Sequence, residues 1–288
     1  MTAGVEVHLI DGTYELFRAF FGAPSAVVAG REVGAARGLL RSLAAWLRAG
    51  QVTHVGIAFD HVIESFRNQL FAGYKTGDGM EPTLYAQFPL AEQVATALGL
   101  TVWPMIEFEA DDALATAARI AAADPRVSRV VIASPDKDLC QCVVGARVVS
   151  WDRLRDRWFD ADGVVARLGV APASVPDLLA LVGDSADGIP GLPRWGERST
   201  AAVLTRYPHL EDIPRDGVWD VKVRGGAGLA ATLDQRWDDA LLYRRLATLR
   251  TDCPIAADLD TLAWAGPNRA LLAAVCDELA MTPPDLAR

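Results

Sequence analysis

The spacing of apolar and polar residues changes character once along the chain. Up to about residue 160, short β-type runs alternate with longer helical ones. Residues 5–10, 54–59, 100–103, 130–133 and 147–151 are apolar and β-branched, and most are bounded by Asp, Gly or Pro, which predicts strands. Residues 34–47, 85–98 and 109–123 carry apolar side chains at helical spacing. Alternation of this kind predicts an α/β fold with a mostly parallel central sheet flanked by helices. Beyond residue 160 the strand runs vanish. Helices are predicted over 175–182, 197–207, 237–249 and 267–280, with a turn-rich stretch at 183–196 and a Gly-rich loop at 215–228. The expected division is 1–160 for the α/β part and 161–288 for a helical part.

Composition narrows the classes. Hydrophobic residues make up 51% and charged residues 23%, which excludes wholesale disorder. No apolar run approaches the ~18 residues of a membrane span. The first residues, Met1 to Glu6, lack a basic region and an apolar stretch, so a cytoplasmic, non-membrane protein is expected, with monomer as the default. Cys140, Cys142, Cys253 and Cys276 form no CxxC pair and no zinc-ligand spacing, as expected of reduced structural thiols. There are 28 Lys plus Arg against 37 Asp plus Glu, a net charge of −9. Taken alone, that argues against a nucleic-acid partner. Only Lys75, Lys137 and Lys222 are lysines, so each stands out.

The position of the acids changes the picture. Asp11 and Asp60 end predicted strands, and Asp136 and Asp138 follow another. In an open parallel sheet the carboxyl ends of the strands lie along one edge, where ligands bind. Glu109, Asp111 and Asp112 fall at the start of a predicted helix, where the dipole favours negative charge. Asp184 and Asp187 lie three apart in Gly183–Gly188, hence on one side of a turn. Any one of these could be a turn residue or an N-cap. As a set of nine they need cations, because like charges ~4 Å apart repel by roughly 4 kcal/mol per pair at an effective dielectric of 20. Oxygen ligands without His or Cys point to Mg²⁺ or Mn²⁺. Two such ions suit in-line phosphodiester hydrolysis.

The motifs Leu9-Ile10-Asp11-Gly12, Phe59-Asp60, Ser65-Phe66-Arg67, Gly73-Tyr74-Lys75, Phe108-Glu109-Ala110-Asp111-Asp112, Asp136-Lys137-Asp138-Leu139 and Gly183-Asp184-Ser185-Ala186-Asp187-Gly188-Ile189-Pro190-Gly191 together resemble the bacterial flap endonuclease family. That family includes the 5′ nuclease domain of bacterial DNA polymerase I, and the motifs run in the family's order. With no polymerase following, a stand-alone nuclease is expected. The resemblance implies a PIN-like catalytic part and a short helical arch or lid at about 70–88. It also implies a helical DNA-binding part, with a helix-hairpin-helix at about 175–207. It implies that Asp11, Asp60, Glu109 and Asp111 surround one metal, and that Asp136, Asp138, Asp184 and Asp187 serve a second. Asp111 would lie between the two, with Asp112 behind as a further ligand or as a group that supports the ligands. Lys75 and Arg67 would act on the scissile phosphate, Tyr74 would stack on a base, and Arg18 could equally reach a phosphate or form a surface ion pair. Gly191, Gly196, Arg198 and Ser199 would bind the DNA backbone, assisted by K⁺ at the hairpin.

This chain departs from the family at three places. Asp78 stands where a basic residue is common, Arg194 replaces a hairpin glycine and Arg198 replaces a lysine. The implied activity is hydrolysis at 5′ flaps, nicks and gaps, on DNA or on RNA–DNA hybrids, leaving a 5′-phosphate. A PIN-type ribonuclease and a non-catalytic DNA-binding protein are the alternatives. If the nine acids are set aside, the remaining 28 balance the 28 basic residues, so the acidity belongs to the candidate site rather than to the surface at large.

Overall fold

The computed structural model describes residues 4–50 and 52–286. Residues 1–3, on which the absence of a signal was partly read, lie outside the described residues, as do Gln51 and 287–288. The chain forms two compact units that interleave in sequence. Met1–Ser65, Gly77–Ser134 and Arg250–Arg288 form the first, and Phe66–Thr76 with Pro135–Leu249 the second.

The first unit contains β1 (Val5–Asp11), β2 (Val27–Val28), β3 (Arg31–Glu32), β4 (His54–Asp60), β5 (Thr101–Met105) and β6 (Val127–Ala133). β1 is central, with β4 and β6 parallel on its two sides and β5 parallel beyond β4. β2 and β3 make a separate antiparallel hairpin. Val7, Leu9 and Ile10 of β1 are fully buried and His8 nearly so, as befits a strand flanked by neighbours on both sides, although Glu6 and His8 interrupt its apolar run. The helix Ala110–Ala123 lies on this sheet, and Ala113, Ala117 and Ala118 let it approach closely. The helix Gly34–Arg48 buries Leu39, Leu40, Leu43 and Leu47 on one stripe. Truncating any one of these leucines to Ala should cost about 3 kcal/mol.

Two boundaries differ from expectation for tertiary reasons. The single helix expected over 85–98 is two, Pro82–Tyr85 and Phe88–Ala97. Gln87 sits buried at the break, where its Oε1 accepts the Ala36 amide at 3.1 Å and its Nε2 donates to the Thr83 carbonyl. β5 runs on through Pro104 to Met105, because an edge strand has one ladder of donors to spare.

The second unit contains β7 (Val148–Asp152) paired antiparallel with β8 (Arg157–Phe159), followed by helices. These include Ala161–Leu168, Val175–Val182, Glu197–Arg206, Gly226–Gln235 and Trp237–Ala247. Leu179, Leu181, Val203, Leu204, Leu233 and Leu246 lie in its core. The predicted loop 215–228 gives way to helix at Gly226, after Gly225 adopts a left-handed φ of 75°. Two glycines masked the Leu229, Ala230, Leu233 stripe that buries this helix. Among the described residues, no single helix is long and apolar enough to cross a membrane.

The four cysteines are free thiols. Burial pushes Cys140 and Cys253 up to about 11 and raises Cys276 as well. Only a thiolate reacts quickly with alkylating reagents. At pH 8 the native protein should therefore label at half-buried Cys142 alone, with the other three reacting after denaturation. Rapid labelling of a second thiol in the native state would contradict this packing.

Candidate metal centre

In the first unit the acids sit at the carboxyl ends of parallel strands, as the pattern required. Asp11 ends β1, and its Oδ1 accepts the Tyr14 amide at 2.8 Å, capping the helix Gly12–Gly22. Its Oδ2 accepts from the Ser134 hydroxyl at 2.8 Å. Asp60 ends β4. Its Oδ1 accepts the Ala110 amide at 2.7 Å, at the start of the helix Ala110–Ala123. Glu109 precedes that helix, and its Oε1 accepts from Ser65 Oγ at 2.7 Å. Both the N-cap role and the strand-end role therefore hold for Asp11. Asp111 lies in the first turn of the same helix.

Asp112 is fully buried and points elsewhere. Its Oδ2 accepts the Glu109 amide at 3.0 Å and its Oδ1 the Arg250 amide at 2.8 Å. Both oxygens thus stitch backbone together, which makes Asp112 a support for Glu109 rather than a ligand.

In the second unit Asp138, Asp184 and Asp187 each present an oxygen within 4.8 Å of the others. Asp184 and Asp187 belong to a loop closed by two backbone hydrogen bonds of 2.8 Å between Asp184 and Ile189. Gly188 (φ 74°) and Gly191 (φ 69°) shape it. A Cβ on Gly188 would lie 2.2 Å from the Gly73 carbonyl oxygen, so only glycine fits. Asp136 is exposed, and its Oδ1 accepts the Asp138 amide at 2.9 Å.

Asp138 is 5% exposed, and its Oδ1 is buried without a hydrogen-bond partner. Burial, then the neighbouring charges of Asp136 and Asp187, raise its carboxyl well above the usual range. Two lysines answer this charge. Lys137 Nζ donates to Asp184 and lies 3.9 Å from Asp138 Oδ1. Burial opposes the Lys137 ammonium, but the bond to Asp184 and the Asp138 charge outweigh it and raise its pKa. Lys75 Nζ lies 2.9 Å from Asp187 Oδ1. An orphaned, desolvated carboxylate oxygen among three hard oxygen donors fits a divalent cation.

Two residues given phosphate or base contacts, Arg67 and Tyr74, have buried side chains. Arg67 is 1% exposed, with Nε donating to the Leu246 carbonyl at 2.7 Å and Nη2 to the Thr248 carbonyl at 3.2 Å. Tyr74 is 3% exposed within the hydrophobic core, and its hydroxyl donates to Asp187 Oδ2 at 3.4 Å. Neither can clamp a phosphate or stack on a base as placed; both brace the segment that carries Lys75. Arg18 pairs with Glu15 and donates to Ser42 Oγ at 2.8 Å. The Arg18 pair is the alternative its position allowed, whereas identity in a motif says nothing of the burial of Arg67 and Tyr74.

The hairpin leads into the helix Glu197–Arg206 through Gly196. Ser199 Oγ donates to the Gly196 carbonyl at 2.9 Å, and Arg198 is exposed. Arg194 adopts φ 72°, the left-handed region in which glycine is at ease, so the backbone keeps its turn despite the substitution. Arg194, Arg198, Lys222 and Arg224 line a cleft of about 730 Å³ together with Gly196 and Ser199. Lys222 was not predicted there. The Ser65 and Ser134 contacts were also missed, although Ser134, directly past the end of β6, is a legible signal.

Comparison with known proteins agrees with this arrangement. Residues 6–169 match the model of the 5′-3′ exonuclease N-terminal resolvase-like domain. Residues 170–270 match the 5′-3′ exonuclease C-terminal SAM fold. The chain belongs to the 5′-3′ exonuclease family. It is 34% identical to DNA polymerase I of Pseudomonas aeruginosa over 281 residues, covering 94% of this chain and 30% of the relative. With DNA polymerase I of Mycobacterium leprae it is 33% identical over 261 residues, covering 88% of this chain and 28% of the relative. The chain thus spans about 30% of the length of these relatives. In fold it is similar to T5 5′-exonuclease bound to zinc, with a TM-score of 0.70, 16% identity and coverage of 96% of this chain and 99% of that one. It is also similar to the catalytic core of Rad2 in complex with DNA substrate, with a TM-score of 0.61, 14% identity and coverage of 96% and 88%.

Arg67→Ala would leave one buried and one partly buried carbonyl without this donor and a cavity beside Phe66 and Tyr74. It should lower unfolding stability by about 2–4 kcal/mol in urea titrations. An unchanged midpoint would return Arg67 to the list of candidate phosphate ligands.

Proposed function

We propose that this chain is a metal-dependent, structure-specific 5′ nuclease that hydrolyses DNA at 5′ flaps, nicks and gaps, with RNA–DNA hybrids as a further substrate. The observation that carries this reading is the Asp138, Asp184, Asp187 group with its orphaned buried oxygen. In this reading those three acids, with Asp136 beside them, hold one Mg²⁺ or Mn²⁺ ion. Asp11, Asp60, Glu109 and Asp111 hold another. Bound divalent ions would lower the pKa of a water nucleophile and neutralise charge on the phosphorus centre and the leaving oxygen.

The chain's own residues supply the positioning. Ser134 and Ser65 fix Asp11 and Glu109 by hydrogen bonds, so these carboxylates cost little to order when the ion arrives. Asp112 locks the start of the helix that carries Asp111. Lys75 brings the mobile positive charge for the scissile phosphate, on a backbone braced by Tyr74. The cleft bearing Arg194, Arg198, Lys222 and Arg224 takes the duplex backbone by charge and by backbone N–H groups, with K⁺ at the hairpin as part of the same proposal. Residues 1–160 then supply most of the catalytic groups, and 161–288 bind DNA and add Asp184 and Asp187 to the metal site.

A single assay tests the reading: a 5′-labelled flap duplex, the matched single strand and an RNA–DNA hybrid, with Mg²⁺, Mn²⁺ or chelator. Cleavage of the flap duplex is expected with metal and none with chelator. Asp138→Asn should reduce the single-turnover rate by about 10²-fold or more, and Lys75→Ala should slow cleavage more than it weakens binding. Metal-independent binding without product would favour a non-catalytic DNA-binding protein, and preference for free RNA a ribonuclease.

A further inference from the structure

Of the three lysines in the chain, two converge on one carboxylate group. Lys137 Nζ is bonded to Asp184 and stands 3.9 Å from Asp138 Oδ1, while Lys75 Nζ stands 2.9 Å from Asp187 Oδ1. Every member of the candidate metal group is therefore faced by an ammonium. An ammonium and a divalent ion compete for the negative charge and the lone pairs of a carboxylate, so a divalent ion seated among these oxygens weakens the hold on both lysines.

We infer that Lys137 and Lys75 are stand-in cations, displaced when a divalent ion enters, and that this displacement frees the Lys75 ammonium for the substrate phosphate. The inference rests on the metal reading above. Lys137 acts here as a positioning residue: it keeps three like charges together in the metal-free protein and sets how much metal is needed to fill the group.

The surroundings restrict what can move. The Lys75 amide donates to the Asp187 carbonyl at 2.9 Å, and Gly188 lies against the Gly73 carbonyl. The Tyr74 ring is buried beneath, 5.6 Å from Lys75 Nζ. The backbone around Lys75 is thus fixed to the Asp187 loop, and only its flexible four-carbon stem can swing. Asp187 then parks Lys75 until metal arrives, which links readiness for substrate to metal loading. The sign of one effect is diagnostic. Removing a lysine that serves structure or substrate would leave metal affinity unchanged or reduce it. Removing Lys137 should raise it, because a competing charge is lost.

Three lysines make the test direct. The whole chain is produced with ¹³Cε,¹⁵Nζ-lysine, and the signals are assigned by single Lys→Arg variants. Mg²⁺ is titrated by NMR, with calorimetry in parallel. The Lys75 and Lys137 signals should move together on one binding curve, while Lys222 stays. In Lys137→Met the Lys75 signal should move at a Mg²⁺ concentration about tenfold lower, and Lys137→Arg should restore the original midpoint. Mg²⁺ binding by calorimetry with an unmoved Lys75 signal, or a Lys137→Met midpoint equal to or above that of the parent chain, would overturn the displacement. No heat and no shift at any lysine would overturn the metal reading itself, and the inference with it.

Discussion

Three carboxylates held within 4.8 Å of one another, one of them buried with an unpaired oxygen, are the constraint to which the second unit is built. Left alone, such a group would repel itself by several kcal/mol or take up protons. The fold answers in two ways. It raises the Asp138 carboxyl's affinity for a proton, and it directs two of its three lysines at the group. Much of the nearby architecture follows from holding those charges still. The Asp184–Ile189 loop needs glycine at 188 to pass Gly73, and Tyr74 and Arg67 are buried to brace the segment that delivers Lys75.

The first unit solves a related problem by different means. Its acids are spread along the ends of β1 and β4 and the start of one helix, and three of them accept hydrogen bonds from neutral donors. A serine hydroxyl serves Asp11 and Glu109, and a backbone amide serves Asp60. Neutral donors orient a carboxylate without cancelling its charge, which leaves it able to take a cation. The ammonium groups of the second unit cancel charge and must be moved.

The strand-end acids were legible in the sequence because parallel strands end at a common edge, and because apolar runs closing in Asp are unambiguous at Asp11 and Asp60. The Gly183–Gly191 loop was legible for its spacing. What the sequence concealed depends on tertiary contact. The break at Gln87 is set by a hydrogen bond to Ala36, 51 residues away in sequence. The helix Gly226–Gln235 hid behind its two glycines. Arg67 and Tyr74 were recognisable as motif residues, but nothing local told that both side chains are buried. Asp112 could be read as a ligand until the Arg250 amide, brought from the far end of the chain, was seen to occupy its second oxygen.

The second-unit acids form a cation site that lysine shields, and everything proposed for the chain depends on it. The most direct measurement is anomalous diffraction at the manganese edge from crystals of the chain grown with Mn²⁺. A peak coordinated by Asp138, Asp184 and Asp187, with the Lys137 ammonium withdrawn from Asp184, is the predicted result. Saturating Mn²⁺ with no peak among these three carboxylates, and Lys137 still bonded to Asp184, would contradict it.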